Sequence, residues 1–124
     1  MISAQFLCEV VGYALQIAKR QRNEDHLQSV EILENKFQAE LAELEDAEGI
    51  WDEMPDLCYY AICLAAQGQS ARLWQLEYEI CEHFEISAVE IEAATRAKYS
   101  RRASGLPKDF DAERKAIQDA LKSL

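Results

Sequence analysis

The chain has 124 residues, 49% of them apolar and 29% charged, which is enough for one globular domain and too few for two. Four Gly, two Pro and 9% aromatics argue against disorder, collagen-like repeats and turn-rich all-β designs. Thirteen Lys and Arg stand against 23 Asp and Glu, a net charge of −10 that disfavours a broad nucleic-acid or anionic-membrane surface and makes bound cations the natural counterpart.

Taken in chain order, the apolar spacing is helical nearly throughout. Phe6, Val10, Tyr13, Leu15 and Ile17 mark a first helix, closing near Lys19, Arg20 and Arg22, which suit the negative end of a helix dipole. Asn23 to Asp25 supplies a polar break with candidate N-caps. The second helix carries Leu27, Val30, Leu33 or Glu34, Phe37, Leu41 and Leu44 and should stop by Gly49. The third runs from about Asp52, its expected N-cap, to Gln67. Pro55 confines that start, because proline fits only a first turn; a kinked helix from Ile50 is the alternative. Met54, Leu57, Cys58, Ala61, Ile62 and Ala65 form its buried stripe, and Gly68 ends it. A fourth helix spans Ser70 to Phe84 through Leu73, Trp74, Glu77, Ile80 and Cys81. A fifth opens at Ser87 with Glu90 three residues on, a capping box, and reaches about Arg102. After the loop Ser104-Gly105-Leu106-Pro107, a short helix from Asp109 to Leu121 closes the chain. The expected architecture is a single all-α domain over 1–124, a helical bundle of five to six helices.

Leu57 to Ala66, the longest apolar run, is half of the roughly 20 residues that span a bilayer. Glu9 interrupts an N-terminal stretch that lacks a basic region, which argues against a signal peptide. Cys8, Cys58, Cys63 and Cys81 sit among apolar neighbours without C-x-x-C spacing, so reduced core thiols in a cytoplasmic protein are expected.

Chemistry enters through carboxylates. Glu40 with Glu43, and Glu53 with Asp56, each lie three apart, on one helix face with about 5–6 Å between Cβ atoms. If the second and third helices pack antiparallel, the pairs converge. Each close pair then repels by about 4 kcal/mol at about 4 Å with an effective dielectric of about 20. Such a cluster needs hard cations, and oxygen ligands suit Mg²⁺ or Mn²⁺. Spacing alone singles out nothing, since 23 acids in 124 positions give an acid-x-x-acid pair about four times by chance. Glu31/Glu34, Glu45/Glu48, Glu79/Glu82 and Glu82/Glu85 fit as well.

The flanking residues add more. Phe37-Gln38-Ala39-Glu40-Leu41-Ala42-Glu43-Leu44, followed by Asp52-Glu53-Met54-Pro55-Asp56-Leu57-Cys58-Tyr59-Tyr60-Ala61, resembles the MazG-like, all-α nucleoside triphosphate pyrophosphohydrolases, with E-x-x-E on one helix and E-x-x-D opening the next. The resemblance covers about Lys36 to Ala66 and extends to Ala97–Arg102 and Lys108-Asp109, which are similar to the basic tail of some members. Ala39 stands where the family usually has another glutamate, and only nine residues separate Glu43 from Glu53. Pairing Glu31/Glu34 with Glu53/Asp56 is the alternative register.

The resemblance implies hydrolysis of a nucleoside triphosphate to the monophosphate and pyrophosphate. Glu40, Glu43, Glu53 and Asp56 would hold Mg²⁺ (Mn²⁺ as the alternative), and Glu43 would also take the proton of the attacking water. Lys98, Arg101 and Arg102, with Lys108 as a further candidate, would hold the outgoing pyrophosphate, since guanidinium groups match phosphate geometry. Tyr60 shares the face of Glu53 and Asp56 and would line the pocket, whereas Tyr59 points about 100° away. Trp51 and Trp74 would pack in the core or a subunit contact, with base stacking as the alternative. His26 and His83 lack metal-site spacing, and there is no phosphate-binding glycine loop or nucleophile elbow. The family generally assembles as dimers or tetramers, so a homo-oligomer is expected, with neither membrane nor nucleic-acid polymer as partner. The rivals are a non-catalytic acidic helical-bundle interaction protein and a phosphoribosyl-ATP pyrophosphatase-like enzyme.

Overall fold

In the computed structural model, which describes residues 1–44 and 49–124, every element is a helix. Helix α1 (Ala4–Ile17) starts where the Ser3 hydroxyl accepts the Phe6 N–H, and it buries Phe6, Val10, Ala14 and Ile17. It runs into a π-helical turn, Ala18–Arg22, closed by Asn23 in the left-handed region at φ 54°. The basic stretch therefore does terminate this helix. Asn23, however, ends one helix rather than starting the next.

Helix α2 (Val30–Glu43) begins later than the apolar spacing predicts, because Ser29 supplies the cap, accepting the Ile32 N–H. Leu27 packs on the core from outside the helix. α2 ends at Glu43, so Gly49 is not its terminator; Gly49 directly precedes helix α3 (Ile50–Ala65). The expected connection between the two acidic motifs includes residues 45–48, which lie outside the described residues, as does the Glu45/Glu48 pair.

Asp52 is not the N-cap of α3 but a residue of its first turn, and Pro55 lies inside the helix, buried. The start at Ile50 is the one adopted. Proline lacks an N–H, so the Trp51 carbonyl has no helical donor four residues on. The remainder of α3 is buried on nearly all sides, from Met54 and Leu57 to Cys63 and Leu64. It is the central rod, touching α1, α2 and three of the four helices that follow. Gly68, at φ 85°, turns the chain while the Gln69 N–H bonds back to the Leu64 carbonyl.

Helix α4 (Ala71–Gln75), a π-helical turn (Leu76–Ile80) and helix α5 (Cys81–His83) form one continuous rod over the expected span. Its buried face differs from the predicted stripe. Ile80 and Cys81 are buried as expected and Leu73 packs on the core, but Leu76 is buried as well, while Trp74 is 56% exposed and packs on Tyr78. The π turn adds a residue to the repeat and rotates the face that a 3.6-residue period assigns. Helix α6 (Ala88–Ala103) opens with the expected Ser87/Glu90 capping box. Helix α7 (Phe110–Lys122) is capped by the Asp109 carboxylate, which accepts the Asp111 and Ala112 N–H groups.

Cys58, Cys63 and Cys81 are buried, but Cys8 is exposed. The core-thiol expectation fails for Cys8 because it sits between the Phe6 and Val10 positions on the outer side of α1. Among the described residues, no helix is long and apolar enough to cross a membrane.

Candidate functional site

Packing of α2 on α3 brings the last turns of one against the first turns of the other. Carboxylate oxygens of Glu40, Glu43 and Glu53 lie within 4.8 Å of one another. Burial, followed by the charges of Asp56 and Glu43, pushes the Glu40 carboxyl up to about 7. Burial, then Asp52, Glu40 and Glu43, pushes Glu53 up to about 7. These groups therefore resist being ionised together. Of the described residues, these three are the acids that could jointly hold a metal ion.

Asp56 stands outside that trio. Its Oδ1 accepts Lys98 Nζ at 2.9 Å, with the two side chains 13% and 4% exposed. The Tyr99 hydroxyl donates to the same oxygen. Three of the four expected ligands are thus clustered, and the fourth is held by an internal cation on α6. Tyr99 is fully buried and stacks on Tyr59 at 4.0 Å, which explains why Tyr59 points into the core while Tyr60 does not.

Glu40, Glu43, Glu53 and Asp56 line a cleft of about 310 Å³. Lys98, Arg102, Lys108 and Arg114 bring positive charge to the same cleft, and Tyr60 lines it too. Burial, with Asp56 and Glu40 nearby, raises the Tyr60 phenol and keeps it protonated. Besides Lys98, two more of these cations are paired with acids of the chain. Arg102 forms a bidentate contact with the nearly buried Glu113, at 2.9 and 3.3 Å, and lies over the Tyr99 ring. Arg114 grips Asp52 at 3.0 and 3.1 Å.

Tyr60, Lys98 and Arg102 thus fall in the cleft as the sequence predicts, and so does Lys108. Arg101 does not line it; its Nε is buried and has no hydrogen-bond partner among the described residues, one helical step round from Arg102. Trp51 borders a neighbouring groove, and Trp74 lies on the exposed face of α4. The alternative register also fails to reach the cleft, because Glu34 is bound by Arg72 at 2.9 to 3.1 Å. Sequence reasoning missed Asp52, Phe110, Glu113 and Arg114. A usable signal was present, since Phe110, Glu113, Arg114 and Ile117 share one face of α7 at spacings of three and four.

In comparisons with known proteins, the chain matches no family model, no curated protein and no solved structure.

Proposed function

We propose that this chain is a Mg²⁺-dependent nucleoside triphosphate pyrophosphohydrolase, releasing the nucleoside monophosphate and pyrophosphate. One observation carries the reading: three carboxylates within 4.8 Å of one another share a cleft with Lys98, Arg102, Lys108 and Arg114. A polyphosphate with its divalent counterion suits such a mixture, its cation sought by the carboxylates and its phosphates by the basic side chains. The likeness of the two acidic motifs to MazG-like enzymes supports the same reading.

Glu40, Glu43 and Glu53 would hold the ion, together with Asp56 once Lys98 yields its oxygen. The donors are all oxygen, and their mutual repulsion fits a hard divalent cation, Mg²⁺ or Mn²⁺. A bound ion of this kind neutralises phosphate charge and acidifies water. Glu43, the exposed member of the trio, takes the proton of the attacking water. Lys98, Arg102 and Lys108 bind phosphate oxygens, and Tyr60 lines the same cleft. The likeness to MazG-like enzymes also implies a homo-oligomer in the cytoplasm.

A second reading, a non-catalytic acidic bundle, is favoured by the pairing of Asp56, Glu113 and Asp52 with Lys98, Arg102 and Arg114. Pyrophosphate release from a panel of nucleoside triphosphates with Mg²⁺ separates the two. Pyrophosphohydrolysis requires release by the native chain and a loss of about 100-fold or more in Glu43→Gln and Asp56→Asn at unchanged helix content. No release, with no stabilisation by Mn²⁺, leaves the acidic bundle.

A further inference from the structure

Phe110 is the most exposed aromatic side chain among the described residues, at 66%, yet it does not lie on the outer face of its helix. It opens α7, and Glu113 and Ile117, three and seven positions on, are the buried residues of that helix. Phe110 therefore belongs to the inward face of an amphipathic helix and is uncovered because the cleft lies beneath it instead of the core. Its position is fixed, because Asp109 caps the first turn and Glu113 is held by Arg102. Lys108 Nζ sits 5.3 Å from the ring centroid, leaving an ammonium beside a bare aromatic surface in the same cleft as the acidic trio.

We propose that Phe110 is the stacking platform for the planar base of the nucleotide, and that Lys108 spans from this ring to the phosphates. The proposal rests on the pyrophosphohydrolase reading and specifies what the cleft recognises. An aromatic face accepts any base, since every base has a π-face, and it discriminates by stacking area rather than by hydrogen bonding. The substrate class is therefore a nucleotide with a large planar base, purines before pyrimidines, and a polyphosphate without a base lacks this contact. The acids and cations act on the phosphate portion, which both kinds of ligand share.

The test is equilibrium binding, in Mg²⁺, of α,β-methylene-ATP and inorganic tripolyphosphate to the native chain, Phe110→Ala and Phe110→Trp. Phe110→Ala should weaken the nucleotide analogue about ten-fold and leave tripolyphosphate within about two-fold, the size expected for removing one aromatic platform. Phe110→Trp should restore the affinity and add an indole signal that the analogue quenches and tripolyphosphate does not. Equal effects of Phe110→Ala on the two ligands, or none on either, overturn the platform while leaving the hydrolase reading intact. So does a native chain that binds both ligands equally. A native chain that binds neither ligand overturns both.

Discussion

Lys98 and Asp56 form a nearly buried ion pair, 2.9 Å from Nζ to Oδ1, that joins the middle of α6 to the E-x-x-D motif of α3. Removing one partner leaves the other charge stranded, the costly way to break a buried pair. Lys98→Met should lower the unfolding free energy by about 3 kcal/mol in urea titrations, within the range for breaking such pairs. Because the vacated oxygen then becomes available to a cation, millimolar Mn²⁺ should restore more stability to Lys98→Met than it adds to the native chain. Equal metal effects on the two proteins would separate Asp56 from the proposed metal centre.

Glu40 and Glu53 carry raised carboxyl values of about 7. An acid whose value is higher in the folded chain than in the unfolded one opposes folding once the unfolded form ionises. Stability should therefore fall as pH climbs from about 4.5 to about 7 and then level off. Urea midpoints at pH 5 and pH 8 measure this fall, which Glu40→Gln and Glu53→Gln should each diminish. Mg²⁺ should flatten it too, since an ion held by the ionised acids favours the folded form at the higher pH. A stability profile that rises over this interval in both glutamine variants and the native chain would contradict the mutual repulsion assigned to the trio.

Burial pushes Cys58 and Cys63 up to about 12 and Cys81 up to about 11, which suppresses their thiolates. Cys8 is exposed. A chromogenic disulfide at neutral pH should therefore titrate one fast thiol in the native protein and four in denaturant. Cys8→Ser should abolish the fast phase. Its survival in that variant would mean that a buried thiol is reached by local opening.

Gly68 and Gly105 both hold positive φ, 85° and 87°. An alanine at Gly68 meets open space, so Gly68→Ala should cost only the left-handed backbone penalty, about 1 kcal/mol. At Gly105 an added Cβ would stand 2.8 Å from Arg20 Nη1. Gly105→Ala should cost about 2 kcal/mol, and Arg20→Ala in the same chain should return the excess. Equal losses at the two glycines in thermal unfolding would show that Arg20 swings aside freely.

Much of the fold was legible because local chemistry set it. The Ser87/Glu90 capping box, the Gly68 turn and the 104–107 loop each act within a few residues, and all three stand as the sequence predicts. The errors share a cause, a dependence on register or on distant partners. The π turn after α4 shifted the buried face off a 3.6-residue repeat and left Trp74 outside. Arg101 and Arg102 are adjacent in sequence, and only the orientation of α6 decides which one meets Glu113 and the cleft. The acidic trio could be read from the two motifs with their flanking residues, whereas the grip of Lys98 on Asp56 joins residues with 41 others between them. The shared face of Phe110, Glu113, Arg114 and Ile117 on α7 was visible in the spacing, but that this face meets the cleft depends on tertiary packing.

Helix α7 supplies that face, yet its buried residues are only Glu113 and Ile117, whereas α3 is enclosed on nearly all sides. Detaching α7 breaks its packing on α6 and the Arg102–Glu113 pair; detaching α3 dissolves the core. As the native chain breathes, amide protons of α7 should thus exchange ahead of those in α3. Admission to the cleft is then set by a local opening far shallower than unfolding of the whole chain, so a change that stiffens the core can leave the rate of ligand entry untouched.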